Sequence, residues 1–331
     1  MRYKQRIQIL ARHNHAGLSR DLALMSKMLT DQGALITQQP LSRRGVFSRN
    51  LTRLRNAFNA CQSTNTLFDL NIMLERIRPE FLPQAPYNIL IPNPEYFDET
   101  DKKHLRRIDC VWCKTHHAME LFSALGAQTH YIGFTSPDRY REQIARKVAF
   151  FHGPGKSNNK GTEDLIALWS TRPDWPQLTI AWRHKYISHK SLPANICIID
   201  NHMNEEAYRC LQNRFWFHIC PSQTEGFGHY ILEAMSCGAI VLTLNAPPMN
   251  EHVTTERGIL IAATQKSKQG LAPTWAPVQE SYGAIIDHCL TLSLPQIQAI
   301  GGRAREYFLK TSTNLEQTLA KGLASFSHEE S

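Results

Sequence analysis

The stretch that most constrains the fold of this 331-residue chain covers residues 219–244 and reads ICPSQTEGFGHYILEAMSCGAIVLTL. An apolar run ends at Cys220, a glycine-rich loop follows, and a helical segment closed by Gly238 leads into a β-branched strand. Strand, loop, helix and strand in this order predict a parallel α/β unit. Glycines let the backbone approach a ligand closely, and the first turn of the helix leaves N–H groups unpaired, so the loop favours an anion such as a phosphate.

The same stretch places two carboxylates, Glu225 and Glu233, eight residues apart, one on the loop and one in the helix. Carboxylates accept strong hydrogen bonds from sugar hydroxyls. A bare pair of glutamates is more often simply solvated. The complete string EGFGHYILEAMSCGAIVLT, however, closely resembles the E-x7-E signature of retaining GT-B glycosyltransferases of the family 4 type. This resemblance implies an α/β fold with two Rossmann-like domains, an interdomain cleft and a C-terminal helix that crosses back.

The resemblance also implies roles for the residues of the motif. Glu233 would bind the ribose hydroxyls of a nucleotide, and Glu225 the hydroxyls of the sugar ring. The backbone N–H groups of Gly226, Phe227 and Gly228 would hold the sugar and the diphosphate. Fixed cations and N–H dipoles can stabilise the departing phosphate, so we expect a nucleotide-sugar co-substrate and no metal or other cofactor.

A second segment resembles the GR....KG loop of the same family, whose two basic residues hold the donor diphosphate. It follows the predicted strand KVAFFHG, and Lys160 matches its second basic residue. Lys156 stands where the arginine usually is, one residue closer to its partner than normal. By the same resemblance, Gly17 in the first βα loop is a candidate for contact with the donor sugar or with the acceptor. The nucleotide base would pack against residues 199–203, which include Asn201.

The acceptor is expected in the N-terminal half, which resembles the family only in its topology. A basic stretch there includes Arg43 and Arg44, and it is either a solvated face or a surface for a phosphate-rich acceptor. Glu75 and Glu95 end predicted strands, where ligands of α/β sheets bind. Pairing with a neighbouring arginine explains both glutamates equally well. His117, just after a predicted strand over 108–113, is a further acceptor candidate.

Cysteine usage and charge set further limits. Eight cysteines without the dense spacing of a secreted scaffold predict a reduced, cytoplasmic protein. The cluster of Cys110, Cys113, His116 and His117 is not interpreted as a zinc site, because zinc sites usually draw their ligand pairs from separate turns. The two cysteines are interpreted as core residues of a strand. The net charge of +8 favours a negatively charged partner. No apolar run approaches the length of a membrane span, which leaves peripheral contact with the inner membrane face open.

The predicted organisation has three parts. Residues 1–145 form an acceptor-side Rossmann-like domain, residues 146–312 a nucleotide-sugar-binding one, and residues 313–331 a helix that returns to the first domain. Residues 264–277 are predicted to be a flexible insertion, and two helices are predicted over 295–326.

Together these features favour a glycosyltransferase that moves a sugar from a nucleotide sugar to a hydroxyl acceptor. A glycan or glycolipid acceptor, as in lipopolysaccharide or other surface glycan synthesis, is preferred. The alternatives are a transferase acting on modified DNA bases, for which a nucleic-acid partner is the less favoured interpretation, and a silent nucleotide-sugar-binding protein.

Overall fold

The computed structural model describes residues 4–12, 17–41, 66–155, 159–182 and 192–326. The chain forms two compact units. Unit 1 contains Met1–Phe134, Gln269–Ala272 and Thr313–Ser331, and unit 2 contains Thr135–Lys268 and Pro273–Ser312. The division after Phe134 lies at the start of the segment 135–138, whose Ser-Pro-Asp sequence is typical of a connection.

Unit 1 is built on a six-stranded sheet with the order β2-β1-β3-β4-β5-β6, in which every described pairing is parallel. Its elements are β1 (Arg6–Ala11), α1 (Gly17–Asp31), β2 (Leu35–Pro40), β3 (Leu70–Glu75), β4 (Tyr87–Pro92), α2 (Glu99–Lys102), β5 (Cys110–Cys113), α3 (His116–Ser123) and β6 (Thr129–Tyr131). The apolar runs of β1, β3 and β4 are buried along almost their whole length, as expected for a parallel sheet covered on both faces.

Unit 2 has a second six-stranded parallel sheet, with the order β12-β11-β10-β7-β8-β9. Its first elements are β7 (Lys147–His152), α4 (Thr162–Ser170), β8 (Leu178–Ala181), β9 (Ile196–Ile199), α5 (Glu205–Asn213), β10 (Phe215–Cys220) and α6 (His229–Ser236). The chain continues through β11 (Ile240–Leu244), α7 (Met249–His252), β12 (Ile259–Ile261), β13 (Ala263–Gln269), β14 (Ala272–Pro277), α8 (Gln279–Thr291) and α9 (Leu294–Ala324).

Aromatic side chains fill the core of unit 2 between the sheet and its helices. The rings of Phe150 and Phe217, on neighbouring strands, stack with centroids 5.0 Å apart. Trp169 of α4 meets Phe150 edge to face at 5.1 Å and Trp175 at 4.7 Å. Such pairs add specific geometry to the burial of large apolar areas, so α4 is held firmly against β7, the strand that precedes it.

Two of the predicted local structures are wrong. Residues 264–277 are not a flexible insertion, because they form most of the two-stranded sheet β13–β14. The polar residues of β13 show no apolar alternation, so the sequence does not mark this strand. β14 is joined to the loop after β10, because the Trp275 N–H donates to the Gln223 carbonyl at 2.8 Å. Residues 295–326 are not two helices either, since α9 runs unbroken through Gly301 and Gly302.

Candidate active site

Two loops leave neighbouring strands at the centre of the unit 2 sheet. Strand β7 leads through α4 to β8, while β10 leads through α6 to β11, so the two connections depart in opposite directions. This is the topological switch point of the sheet, the place where open α/β sheets bind ligands. The Gln223 N–H donates to the Asn159 carbonyl at 2.9 Å and joins the loops directly.

Each loop ends in a glycine with left-handed backbone conformation that begins a helix without a side-chain cap. Gly161 (φ 64°) precedes α4, and Gly228 (φ 99°) precedes α6. A Cβ atom on Gly161 would lie 2.8 Å from the carbonyl oxygen of Pro221, so only glycine fits where the loops approach each other. Because no side chain caps either helix, the N–H groups of both first turns remain suited to an anion.

An ion pair lies between the two loops. Lys160 Nζ contacts Glu225 Oε1, and both side chains are largely buried, at 14 % and 12 % exposure. The Ser222 hydroxyl also donates to Glu225 Oε1. Lys160 Nζ lies 4.2 Å from the ring centroid of Tyr230, whose phenol has a pKa raised by burial. The structure therefore brings together Lys160 and Glu225, which the sequence placed on separate loops.

Glu233 lies apart from this pair, in a buried cluster. Its side chain is 2 % exposed, and its two carboxylate oxygens accept hydrogen bonds from Arg139 Nη2 and Gln212 Nε2, each at 3.2 Å. Arg139 also pairs with Glu205 on the first turn of α5. The carboxylate of Glu233 is thus engaged by residues of the protein.

Two buried histidines, His152 and His252, hold the two loops through hydrogen bonds. His152, at the end of β7, bonds the Ile219 carbonyl through Nδ1 at 2.7 Å and the Thr162 hydroxyl through Nε2 at 2.9 Å. His252 Nε2 lies 2.9 Å from the carbonyl oxygen of Phe227. Burial lowers the pKa of each imidazole to about 4. Both rings are therefore neutral near pH 7, and each donates one N–H to a backbone carbonyl.

The other predicted donor residues have varied positions. Gly226 and Phe227 are buried in the motif loop, whereas Asn201, after β9, is exposed. Gly17 is the first residue of α1 in unit 1. Lys156 lies outside the described residues.

The described acceptor candidates belong to three different elements of unit 1. Glu75 ends β3 with a φ of 73°, Glu95 lies in a short 3-10 turn after β4, and His117 is the second residue of α3. Burial lowers the pKa of His117. Arg43 and Arg44 lie outside the described residues.

Several residues of the site could not be found from the sequence. Ser222 and Tyr230 contact the Lys160–Glu225 pair from within the motif itself. Arg139 lies 94 positions before Glu233, and only the fold brings them together. The one sequence signal for Arg139 is its position in the connection that follows unit 1.

The cysteines near His117 are core residues, as predicted. Cys110 and Cys113 are buried in β5, and burial raises their pKa values to about 11 and about 12. In the part of the chain that the structure describes, no group of three or more His, Cys, Asp or Glu is placed to hold a metal ion. None of the described helices has the length and apolar character needed to cross a bilayer.

Comparison with known proteins gives a family match for part of unit 2 and a fold match for the whole chain. Residues 181–272, which include the motif, match the family model described as "Glycosyl transferases group 1". A search of the curated proteins found no match.

Among solved structures, a glycosyltransferase from Rickettsia africae superposes with a TM-score of 0.71 at 15% identity, covering 99% of this chain and 100% of the other. Sucrose-phosphate synthase from Thermosynechococcus elongatus gives 0.70 at 14% identity, covering 97% and 100%. HepE from Anabaena, in complex with UDP and glucose, gives 0.66 at 15% identity, covering 97% and 100%. The chain therefore has the GT-B fold, with two parallel-sheet Rossmann-like domains.

Proposed function

We propose that this protein is a glycosyltransferase that moves a sugar from a nucleotide-sugar donor to a hydroxyl acceptor with retention of anomeric configuration. The observation that carries this proposal is the convergence of two uncapped helix N-termini, with the Lys160–Glu225 pair between them, at the switch point of unit 2. This arrangement offers N–H dipoles and one cation to a diphosphate, and a carboxylate to sugar hydroxyls.

The reaction breaks the bond between the anomeric carbon and the diphosphate oxygen and forms a bond between that carbon and the acceptor oxygen. The acceptor proton moves to the departing phosphate, so no separate base is required. Negative charge grows on the phosphate as the bond breaks, and fixed positive groups stabilise it. In our proposal Lys160 and the first turns of α4 and α6 supply that charge without a metal ion, with Lys156 adding a second cation.

Donor binding requires a change of partner at the ion pair. Lys160 would exchange the Glu225 carboxylate for the diphosphate, and Glu225 would then bind the sugar. Such an exchange keeps Lys160 paired with an anion and keeps Glu225 hydrogen-bonded, which matters because a buried charge without a partner is costly. We further propose that Glu233 serves the ribose, that residues 199–203, with Asn201, serve the base, and that Gly17 contacts the sugar.

The donor to test first is UDP-glucose, because the similar HepE structures contain UDP, UDP and glucose, or UDP-glucose. A cytoplasmic site of action in surface glycan synthesis is also proposed. The seven described cysteines are all unpaired, which fits a reducing compartment.

A thermal-shift screen against UDP-, GDP-, ADP- and CMP-sugars tests the donor site. We expect at least one nucleotide sugar to raise the Tm of the wild type, since a ligand that binds only the folded state stabilises it. The shift should be lost in Lys160→Ala. It should persist in Lys310→Ala, a matched control whose lysine is exposed on α9 and pairs with its helical neighbour Glu306.

Turnover and product NMR separate the remaining outcomes. Release of sugar to water or to a glycoside acceptor, with the α configuration kept from an α-linked donor, is expected. A product of inverted configuration would refute retention. Binding without turnover for every donor and acceptor would instead identify a nucleotide-sugar-binding protein.

A further inference from the structure

Polar side chains from four elements of unit 1 meet at the C-terminal edge of its sheet. Glu75 ends β3, Asn93 follows β4, Lys114 follows β5, and Asp21 comes from α1. Lys114 Nζ lies 2.9 Å from Asp21 Oδ2 and 2.5 Å from Asn93 Oδ1, and the Asn93 side chain hydrogen-bonds to Glu75. We call these four residues the edge cluster. Because β1 and β3 are neighbours whose connections leave in opposite directions, this edge contains the switch point of unit 1.

Glu75 occupies a strained position in the backbone. Its φ of 73° is the one positive value among the described non-glycine residues. The Arg76 N–H donates to the Leu74 carbonyl at 2.9 Å, which closes a three-residue γ-turn around Glu75. A residue with a Cβ atom has an energetic cost in this region, because the Cβ atom crowds the neighbouring carbonyl oxygen. Glycine would avoid that cost. Local backbone stability therefore does not explain why a glutamate occupies this position.

Surrounding residues hold the turn in place. Asp101, 4 % exposed, accepts hydrogen bonds from Arg76 Nε at 2.7 Å and from the Ile77 N–H at 2.9 Å. Asp98, the cap of α2, pairs with the same guanidinium. Strained residues persist where neighbours over-determine them, and such positions cluster at ligand sites. The residues after the turn are thus anchored to α2, while Glu75 is presented at the strand end.

The charges of this edge decide what Glu75 can bind. Lys114 forms an ion pair with Asp21, and their side chains are 3 % and 4 % exposed. Arg76 forms ion pairs with Asp101 and Asp98. Burial raises the pKa of Glu75, and Lys114 is the strongest opposing influence. Arg78 acts on the same carboxylate more weakly than Lys114 does. An anionic ligand would therefore meet the Glu75 carboxylate with Lys114 and Arg76 already paired. An uncharged hydroxyl can donate to that carboxylate in a charge-assisted hydrogen bond and adds no charge.

We propose that Glu75, held by the edge cluster and the γ-turn, binds an uncharged hydroxyl group of the acceptor, and that the acceptor group at this edge is a neutral sugar or polyol. The proposal rests on the glycosyltransferase function proposed above. It differs from the phosphate-rich acceptor that the basic stretch with Arg43 and Arg44 suggested. Glu75 is an acceptor-binding residue in this scheme, since the acceptor proton leaves with the donor phosphate.

The test measures the donor and acceptor sides separately. The donor side is the Tm shift and the hydrolysis to water of the nucleotide sugar that performs best in the screen. The acceptor side is transfer to octyl β-glucoside, methyl mannoside and glycerol, against glucose 6-phosphate as the anionic probe. Glu75→Gln should raise the KM for the neutral acceptors about tenfold or more, because a charge-assisted bond becomes a neutral one. Its donor hydrolysis should stay at the wild-type rate.

Two further variants separate binding from folding. Glu75→Gly removes the backbone strain, so its Tm should be equal to or above that of the wild type while its transfer falls. Glu99→Gln, on the exposed first turn of α2 in the same unit, should behave as the wild type in both assays.

Three results would overturn the proposal. These are wild-type KM values for neutral acceptors in both Glu75 variants, transfer by the wild type to glucose 6-phosphate alone, and donor hydrolysis without transfer to any probe. Failure of every nucleotide sugar to shift the Tm or to be hydrolysed would instead refute the proposed function itself.

Discussion

The charged residues of the motif have different environments although they share one short stretch. Glu225 pairs with Lys160 between two loops, while Glu233 is enclosed with Arg139 and Gln212. A buried carboxylate whose two oxygens both accept hydrogen bonds stabilises the cation that it pairs with. Its removal leaves that cation under-compensated. Glu233 therefore contributes to the stability of the folded protein, in addition to any contact with a donor.

We predict that Glu233→Gln lowers the free energy of unfolding by about 3 kcal/mol, because Arg139 loses its buried counter-charge. Urea denaturation measures the change. Glu206→Gln is the matched control, since Glu206 forms an exposed pair with Arg141 on the surface of α5, and its loss should cost less than about 1 kcal/mol. Equal stability of Glu233→Gln and the wild type would show that the buried pair contributes nothing.

The sequence predicted the positions of site residues only where a local motif contained them. The loop position of Lys160 and Glu225 followed from the glycines beside them, but their mutual contact depends on the pairing of β7 with β10. Arg139 had no local pattern, because its acceptor lies in a helix that follows four intervening strands. Glu75 was found as a strand end, whereas its γ-turn could not be, since nothing in the sequence marks a glutamate with positive φ.

At the scale of elements, α9 shows how a glycine pair can be accommodated in a long helix. Gly301 packs so closely on the turn after α6 that a Cβ atom would collide with the Gly238 carbonyl oxygen. Gly302, the next residue, would meet nothing within 4 Å. The two neighbours therefore have the same helical environment and opposite packing constraints.

Alanine substitutions at these two positions should have opposite effects. Gly301→Ala is expected to lower the stability by about 1–3 kcal/mol through overpacking. Gly302→Ala should raise it by up to about 1 kcal/mol, because alanine has the higher helix propensity. The Tm of each variant, compared with the wild type, provides the check. A stabilising Gly301→Ala would mean that α9 can move away from Gly238 at no cost.

Strands and helices with clear periodicity were predicted well. The predicted strands that end near Glu75 and Glu95 and the strand predicted over 108–113 are β3, β4 and β5, and the helix predicted within residues 219–244 is α6. The errors lie where tertiary contacts outweigh local preference. Two helices were predicted over 295–326, but Gly301 lies within one continuous helix and packs against Gly238. The polar segment over 264–277 forms most of the strand pair β13–β14 although it shows no apolar alternation.

At the scale of the molecule, buried neutral histidines couple folding to pH. Burial lowers the pKa of His152 and His252 to about 4 and that of His218 to about 3, against about 6.5 for an exposed imidazole. Between these values the unfolded chain binds more protons than the folded one. Stability from this source is therefore complete above about pH 6.5 and is lost as the pH falls towards 4.

We predict that the urea midpoint falls between pH 7 and pH 4.5, and that His218→Gln makes the decline shallower. Removing one such group should reduce the slope by up to about 1.4 kcal/mol per pH unit. His288→Gln, at an exposed position on α8, should leave the slope unchanged. Identical slopes in the wild type and His218→Gln would contradict the assignment of a neutral buried imidazole.

Unit 1 is discontinuous in sequence, and this fixes an order of events during synthesis. Its last described residues, from Thr313 onward, lie in α9, where Gly322 packs on the Trp112 ring and the Thr318 hydroxyl binds the Ile132 carbonyl. A ribosome exports all of residues 135–312 before these residues emerge. The unit that is translated first is therefore the last to acquire its full set of contacts. Until α9 emerges, its sheet lacks the contact of Gly322 with Trp112, while all residues of the second unit have already been synthesised.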